Sequence, residues 1–214
     1  MEGITFGSFH SFNDLHLLLI SKEIGSPEVK VDKIDVPGAD SALDLTDFFG
    51  GPKYEDVKHK FTFSTIYPQS EFLSLFSAVK SAIHGKKMRV ILDGDPLFYY
   101  VGRCHVSAFT NDKNIGNVTV ECECDPYKYK LEKTVVSKAI NGAETISLTN
   151  GRKKAVPEVV IATDASIRIV YQGNIWDLGG GSFTLPELEL TEGANSVSVT
   201  GVGNITFTWQ EGDL

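Results

Sequence analysis

Nucleophilic or metal chemistry in this 214-residue chain would rest on three cysteines and five histidines. Cys104 and His105 are neighbours. On an extended strand, neighbours point to opposite faces, so this pair forms no thiolate–imidazole dyad. Cys122 and Cys124 stand two apart in Val118-Thr119-Val120-Glu121-Cys122-Glu123-Cys124. That spacing places both thiols on one face of a strand and Glu121 and Glu123 on the other. Buried thiols acting as small apolar groups fit the pattern. A structural zinc site needs paired cysteines with roughly two to four residues between them and a second pair of ligands. His10, His16, His59, His84 and His105 supply no such pair, so no metal is expected.

The carboxylates are plentiful but scattered. Asp93-Gly94-Asp95 and Glu187-Leu188-Glu189 would serve a glycosidase only if two of them faced each other across a cleft. Asp93, Asp95 and Asp112 with Asn114 do not continue into a full calcium loop ending in glutamate, and they read as turn residues. There is no Gly-x-Ser-x-Gly elbow and no phosphate-cradling Gly-x-x-x-x-Gly-Lys loop. Gly179-Gly180-Gly181 has no helix after it, so it reads as a loop. No catalytic residue, cofactor or enzymatic activity is expected.

The formal net charge is −8, with a pI near 5.1. The acidic excess is even: 14 Lys and Arg against 18 Asp and Glu over residues 1–130, and 6 against 10 over residues 131–214. Nucleic-acid affinity rests on clustered cations, so sequence-specific nucleic-acid binding is not expected. The basic runs Lys86-Lys87-Met88-Arg89 and Arg152-Lys153-Lys154 read as solvated patches beside turns. No run approaches the ~18 apolar residues of a membrane span. Leu15–Ile20 lacks a leading basic region, so no signal peptide and no membrane insertion are expected, and folding in a cytoplasm is.

The elements that would position these groups are mainly β. Alternation at Val57-Lys58-His59-Lys60-Phe61-Thr62-Phe63 puts Val57, His59, Phe61 and Phe63 on one face. In Glu28–Val36 the apolar phase shifts between Asp32 and Lys33, which predicts a strand with a bulge. Residues 88–93 and 97–101 flank Asp93-Gly94-Asp95-Pro96 and predict a hairpin. Residues 100–109 and 117–124, joined by Asn111–Asn114, predict the next pair. One helix is predicted over Ser70–His84, capped by Ser70 and closed by Gly85, with Phe72, Phe76, Val79 and Ile83 on its packed stripe.

Composition changes after Asp125-Pro126-Tyr127. Residues 1–130 hold 11 of the 13 Phe, and both Trp residues lie beyond them. A boundary near residue 130 separates a β-sandwich carrying one helix (1–130) from a small sandwich (131–214). Short strands are predicted in the latter at 145–149, 157–163, 166–172, 174–178, 182–185, 196–201 and 204–210. Gly or Asn turns recur there at intervals of about 8–12 residues. Trp209 alternates with Phe207 and Ile205 on a core face. Trp176, beside the Gly173-Asn174 turn, is the better candidate for an exposed ring.

Within residues 4–63, Phe6-Gly7-Ser8, Ser11-Phe12, Leu17-Leu18-Leu19, Val36-Pro37-Gly38-Ala39-Asp40 and Leu43-Asp44-Leu45-Thr46 stand in an order that resembles the start of phage distal tail (Dit) proteins. Cys124-Asp125-Pro126-Tyr127-Lys128-Tyr129 is similar to the exit of that family's N-terminal domain. The resemblance implies a structural hub at the tail tip of a siphophage or prophage infecting a Gram-positive host. Residues 1–130 would close into a homohexameric ring, single or stacked, around the DNA channel, and residues 131–214 would form a galectin-like sandwich. The implied partners are the major tail tube protein, the tape measure protein, the tail-associated fibre or lysin protein, and receptor-binding or baseplate proteins. The implied location is the virion tail tip, after synthesis in the bacterial host cytoplasm. Residues 21–26 and 37–49, the latter with Pro37, Leu43, Leu45, Phe48 and Phe49, are the expected arm between subunits, because turn residues interrupt their apolar side chains. The rival reading is a lectin-like host-adhesion module, in which Trp176 would stack on a sugar.

Overall fold

The computed structural model describes residues 2–48, 50–65, 67–112 and 115–214. Packing divides the chain into two units, Met1–Lys128 (with Leu214) and Tyr129–Asp213.

The first unit contains β1 (Ile4–Phe6), β2 (Phe9–His10), β3 (Leu17–Ile24), β4 (Lys33–Ile34), β5 (Leu43–Asp44) and β6 (Val57–Thr65). A helix, α1 (Phe72–Ile83), follows, and then β7 (Lys87–Leu92), β8 (Phe98–Asp112) and β9 (Ile115–Cys124). Seven of these strands form one antiparallel sheet in the order β2-β1-β7-β8-β9-β6-β3. Alternation decides which face is buried: Val57, His59, Phe61, Phe63 and Thr65 of β6 point in, as do Val118, Val120, Cys122 and Cys124 of β9. Phe6 on β1 meets Phe61 and Phe63 on β6 edge-to-face at 6.0 and 6.1 Å. Three strands separate β1 from β6 in the sheet, so the sheet folds back over its own core as a sandwich.

α1 seals that core with Phe72, Val79, Ala82 and Ile83, while half-buried Phe76 stacks on Phe109 at 4.9 Å. Ser70 is not its cap. Gln69–Glu71 forms a 3-10 turn after Pro68, and neither helical start has a side-chain cap bond. Proline fixes φ and pre-shapes the first turn, so the start needs no side-chain oxygen. At the other end, Lys86 donates to the carbonyls of Ser81 and Ala82, where a cation complements the helix C-terminus. The β8–β9 hairpin forms as predicted, although Lys113 and Asn114 of its predicted turn lie outside the described residues.

Glu28–Val36 is not a strand of this sheet. Only Lys33–Ile34 is regular, and it pairs with Leu43–Asp44 in a separate two-stranded ladder. The apolar residues do not alternate in and out because neither face has a layer against it. Of residues 21–26, expected in the arm, Ser21–Ile24 is instead the end of β3, paired with His59–Thr62 of β6.

β10 (Lys128–Lys130) begins at the boundary, and the second unit continues with β11 (Thr134–Asn150), β12 (Glu158–Ala162), β13 (Ile167–Tyr171), β14 (Asn174–Leu178), β15 (Gly181–Thr184), β16 (Gly193–Trp209) and β17 (Gly212–Asp213). The stretches read as separate strands at 196–201 and 204–210 are one strand, β16. It pairs with all 17 residues of β11 on one edge. On its other edge it pairs first with β13 and then with β12. The ribbon bends between these halves. Lys138 and Glu144 make an ion pair of 2.6 Å, although six residues of straight strand span ~20 Å. Gly203 stands at the bend with φ +148°, and a Cβ there would lie 2.7 Å from the Ala162 carbonyl oxygen. The glycines that read as a turn between two strands are therefore a corner within one. Ile146, Leu148, Val159, Ile161, Ile167 and Ile169 fill the core with Val197, Val199, Ile205, Phe207 and Trp209. Asn195 is a buried polar hub among them.

Candidate functional site

Several of the groups that could do chemistry are held in structural contacts. His10 accepts the N–H groups of Phe12 and Asn13 at Nδ1 (3.2 and 3.1 Å). Its proton is therefore on Nε2, which donates to Asp93 Oδ2 at 3.1 Å. The same oxygen accepts the Gly3 N–H at 2.8 Å. Both ring nitrogens are committed, so the pair ties the N-terminal strand to the Asp93 turn and offers no base to a substrate. Asp95 pairs with Lys128 at 3.0 Å and Glu189 with Lys154 at 2.9 Å. Arg89 lies over the Tyr99 ring and Lys153 over the Tyr129 ring, so part of each basic run is used locally.

Cys104 and His105 face opposite ways: the thiol is buried and the imidazole lies 5.7 Å from that of His84. Cys122 and Cys124 are both fully buried on one face. Among the described residues, no group of three or more His, Cys, Asp or Glu side chains is arranged to hold a metal ion. Asn114, one of the oxygen ligands weighed from the sequence, lies outside the described residues.

The alternation of β6 alone places His59 inward, and nothing in the sequence marks it as a site. It is 1% exposed, with Gly25 N–H donating to its Nδ1 at 3.3 Å and Tyr100 edge-on at 4.4 Å. Its Nε2 has no protein partner. Burial without a counter-charge pushes its pKa down to about 4. The imidazole is therefore neutral at physiological pH.

The feature that no core explains is the segment between β3 and β6. No described residue from 26 to 56 is buried. Glu28 and Glu55, Lys30 and Lys53, and Asp32 and Leu45 are joined by backbone hydrogen bonds of 2.8 Å, in line with the β4–β5 ladder. The result is a hairpin arm. Its tip is the turn Val36-Pro37-Gly38-Ala39, closed by Ala39 N–H to Val36 C=O at 3.1 Å. Pro37 supplies the fixed φ and Gly38 the left-handed φ of +85° that this turn requires. Between Lys30 and Asp32 the outgoing strand has one residue, whereas the returning strand has seven between Leu45 and Lys53. The excess loops out and carries Phe48.

Val29, Val31, Ile34, Val36, Leu43 and Phe48 are 41, 61, 50, 45, 53 and 72% exposed on this arm. Leu45 is half-buried. Phe49, named with them from the sequence, lies outside the described residues. A two-stranded hairpin is marginal alone in water. Several large apolar side chains left exposed on one mark a surface that another molecule can cover. The nearby edge strand β3 adds Ile20 and Ile24, 58 and 42% exposed, beside unpaired backbone groups.

Trp176 sits on the edge strand β14 opposite Ile169, half-buried and packed against the core of the second unit. Its neighbour Ile175 faces outward at 60% exposure. Trp209 is buried at 2% exposure, as alternation requires.

No protein-family profile and no curated protein sequence matches the chain. A solved structure does. The crystal structure of SPP1 Dit (gp 19.1), described as a paradigm of the hub adsorption apparatus in Gram-positive infecting phages, superposes with a TM-score of 0.74 at 14% identity. The match covers 100% of this chain and 100% of that one. Over its whole length the chain has the Dit fold, a helix-bearing β-sandwich followed by a curled, galectin-like sheet.

Proposed function

We propose that this chain is a distal tail protein, a structural hub at the tip of a siphophage or prophage tail. Six copies of residues 1–130 close into a ring around the DNA channel, and the arm over Pro37–Gly51 bridges neighbouring subunits. The ring joins the tail tube to the tail-associated fibre or lysin protein. The second unit contacts receptor-binding or baseplate parts, and no catalytic step is involved.

The fold match across the full length of both chains carries this reading, and the arm supports it. A heterologous contact that closes on itself leaves no free end. In such a contact each arm covers a neighbour while its own sheet edge is covered in turn. Pro37, Leu43, Leu45, Phe48 and Phe49 are the arm residues assigned to the interface.

Light scattering on the purified protein tests the proposal. The expected mass is six times 23.4 kDa, or twice that for stacked rings. Deletion of Pro37–Gly51 should leave a folded monomer. A parent that is monomeric at every concentration, and that binds glycans until Trp176→Ala removes the binding, would overturn the hub in favour of a lectin.

A further inference from the structure

Cys104 on β8 and Cys122 on β9 are directly opposite each other in the antiparallel register. Both are fully buried, and their sulfurs lie 2.6 Å apart. That is well inside the ~3.5–4.0 Å at which even carbon atoms touch, and only about half an ångström beyond a sulfur–sulfur bond of ~2.05 Å. Cysteines facing each other across an antiparallel pair have Cβ atoms ~4.5–5.5 Å apart, slightly wider than a disulfide takes. The ladder can supply the difference. Its register shifts between Val106 and Ala108, two residues from Cys104, and a bulge increases local twist and lets one strand lean toward its partner.

Cys124 provides the contrast. It shares the buried face with Cys122, but the residue opposite it is Gly102. A Cβ on Gly102 would lie 2.5 Å from Cys124 Sγ, so the glycine leaves room for the thiol and offers it no partner.

We propose that Cys104 and Cys122 are a built site for one cross-strand disulfide, with Cys124 remaining a free thiol. The thiols lose two protons and two electrons, and a small disulfide such as oxidised glutathione accepts the electrons. One protein thiolate attacks the glutathione disulfide and releases one glutathione thiol. The second protein thiolate then attacks the mixed disulfide, forming the Cys104–Cys122 bond and releasing the other. Exchange needs a thiolate within reach of the oxidant. The neighbouring Cys104 thiol and burial both push the Cys122 thiol's pKa far up, and neither sulfur is exposed. The folded state therefore oxidises only when the β8–β9 ribbon opens. The bond forms slowly in the native protein and fast in mild denaturant. Once closed, it removes freedom from an unfolded loop of ~18 residues and stabilises the first unit.

The test is equilibration of the reduced 214-residue chain with oxidised glutathione, with and without sub-denaturing urea, followed by alkylation under denaturing conditions and non-reducing peptide mapping. The expected product has one alkylated thiol, Cys124, and a Cys104–Cys122 cross-linked peptide, with the cross-link appearing faster in urea. Its first unit should unfold at higher urea by far-UV circular dichroism. The tryptophan-fluorescence transition should stay in place, because Trp176 and Trp209 both lie in the second unit. Cys124→Ala should keep the cross-link, and Cys122→Ala should form none. Three free thiols at equilibrium in urea, a stable glutathione adduct on Cys104 or Cys122, or a Cys122–Cys124 link would overturn the proposal.

Discussion

Replacing Leu43 and Phe48 together by aspartate separates the role of the arm from the stability of the body. Burial of a large apolar side chain is worth ~1.5–3 kcal/mol. Leu43 retains 53% and Phe48 72% of its surface in the isolated chain. Covering what remains is thus worth about 1 kcal/mol for the first and about 2 kcal/mol for the second. The pair contributes about 3 kcal/mol per contact, about two powers of ten in dissociation constant. Desolvating two carboxylates at the same place adds to the loss. The body should lose nothing comparable, since both side chains are exposed on an arm none of whose described residues is buried. Its urea midpoint should shift by no more than about 0.5 kcal/mol in equivalent stability. Light scattering over a dilution series should show the assembly giving way to monomer at a concentration ~100-fold higher than in the parent, with an unchanged circular-dichroism transition. Two results would refute the reasoning. One is an assembly that dilutes as the parent does. The other is a monomer whose unfolding midpoint has fallen with it, which would mean that the arm supports the fold.

Two further predictions concern the cores. His59 is neutral when folded, its pKa pushed down to about 4 from the ordinary histidine value of 6.5. Its contribution is complete above the unfolded pKa and is lost as pH falls from about 6.5 toward 4, by up to roughly 3 kcal/mol. His59→Phe should therefore flatten the fall in the circular-dichroism urea midpoint between about pH 7 and pH 4.5, and a parent no more acid-sensitive than the variant would contradict the assignment. In the second unit, Asn195 Oδ1 accepts from Tyr171 Oη and from Thr191 N–H and Oγ1, while Nδ2 donates to the carbonyls of Leu148, Thr191 and Gly193. Asn195→Ala leaves several of these groups buried without a partner and should cost about 3 kcal/mol. Tryptophan fluorescence should report that loss while the first unit's circular-dichroism transition stays put. A fluorescence midpoint within about 0.5 kcal/mol of the parent would count against the network.

Local rules predicted the elements that solvate one face and bury the other. The alternation at Val57–Phe63, the hairpin across Asp93–Pro96 and the stripe Phe72–Val79–Ile83 each repeat with the period of their element, so the buried side is written in the sequence. The misreadings share a different cause. The apolar residues of Glu28–Val36 look like a strand's because the sequence carries no mark of whether a second layer exists. Their exposure becomes visible only when β6 is seen to pair with β3 and β9 and to leave them out. Gly201–Gly203 reads as a turn because glycine breaks a strand and also bends one, and only the continuous pairing with β11 distinguishes the two. The thiol pair was hidden for a similar reason. Cys122 and Cys124 are adjacent on their strand and attract attention as a pair, yet the partner of Cys122 stands 18 residues earlier, across a register that only the fold supplies.

The arm and the body place opposite demands on one chain. A hairpin that is to be covered by another molecule must keep its apolar side chains off its own core, yet it must not collapse or aggregate before the partner arrives. The chain meets both demands through charge. Glu28, Lys30, Asp32, Lys33, Asp35, Asp44, Lys53 and Glu55 lie among the exposed apolar residues, and Lys30 and Glu55 pair across the ladder at 3.7 Å. Charged side chains along a free hairpin discourage indiscriminate strand addition while leaving the apolar positions available. That arrangement favours one matched partner surface over many poor ones, as the ring proposed above would require. Residues 26–56, of which no described residue is buried, are therefore where the proposed assembly is most directly tested.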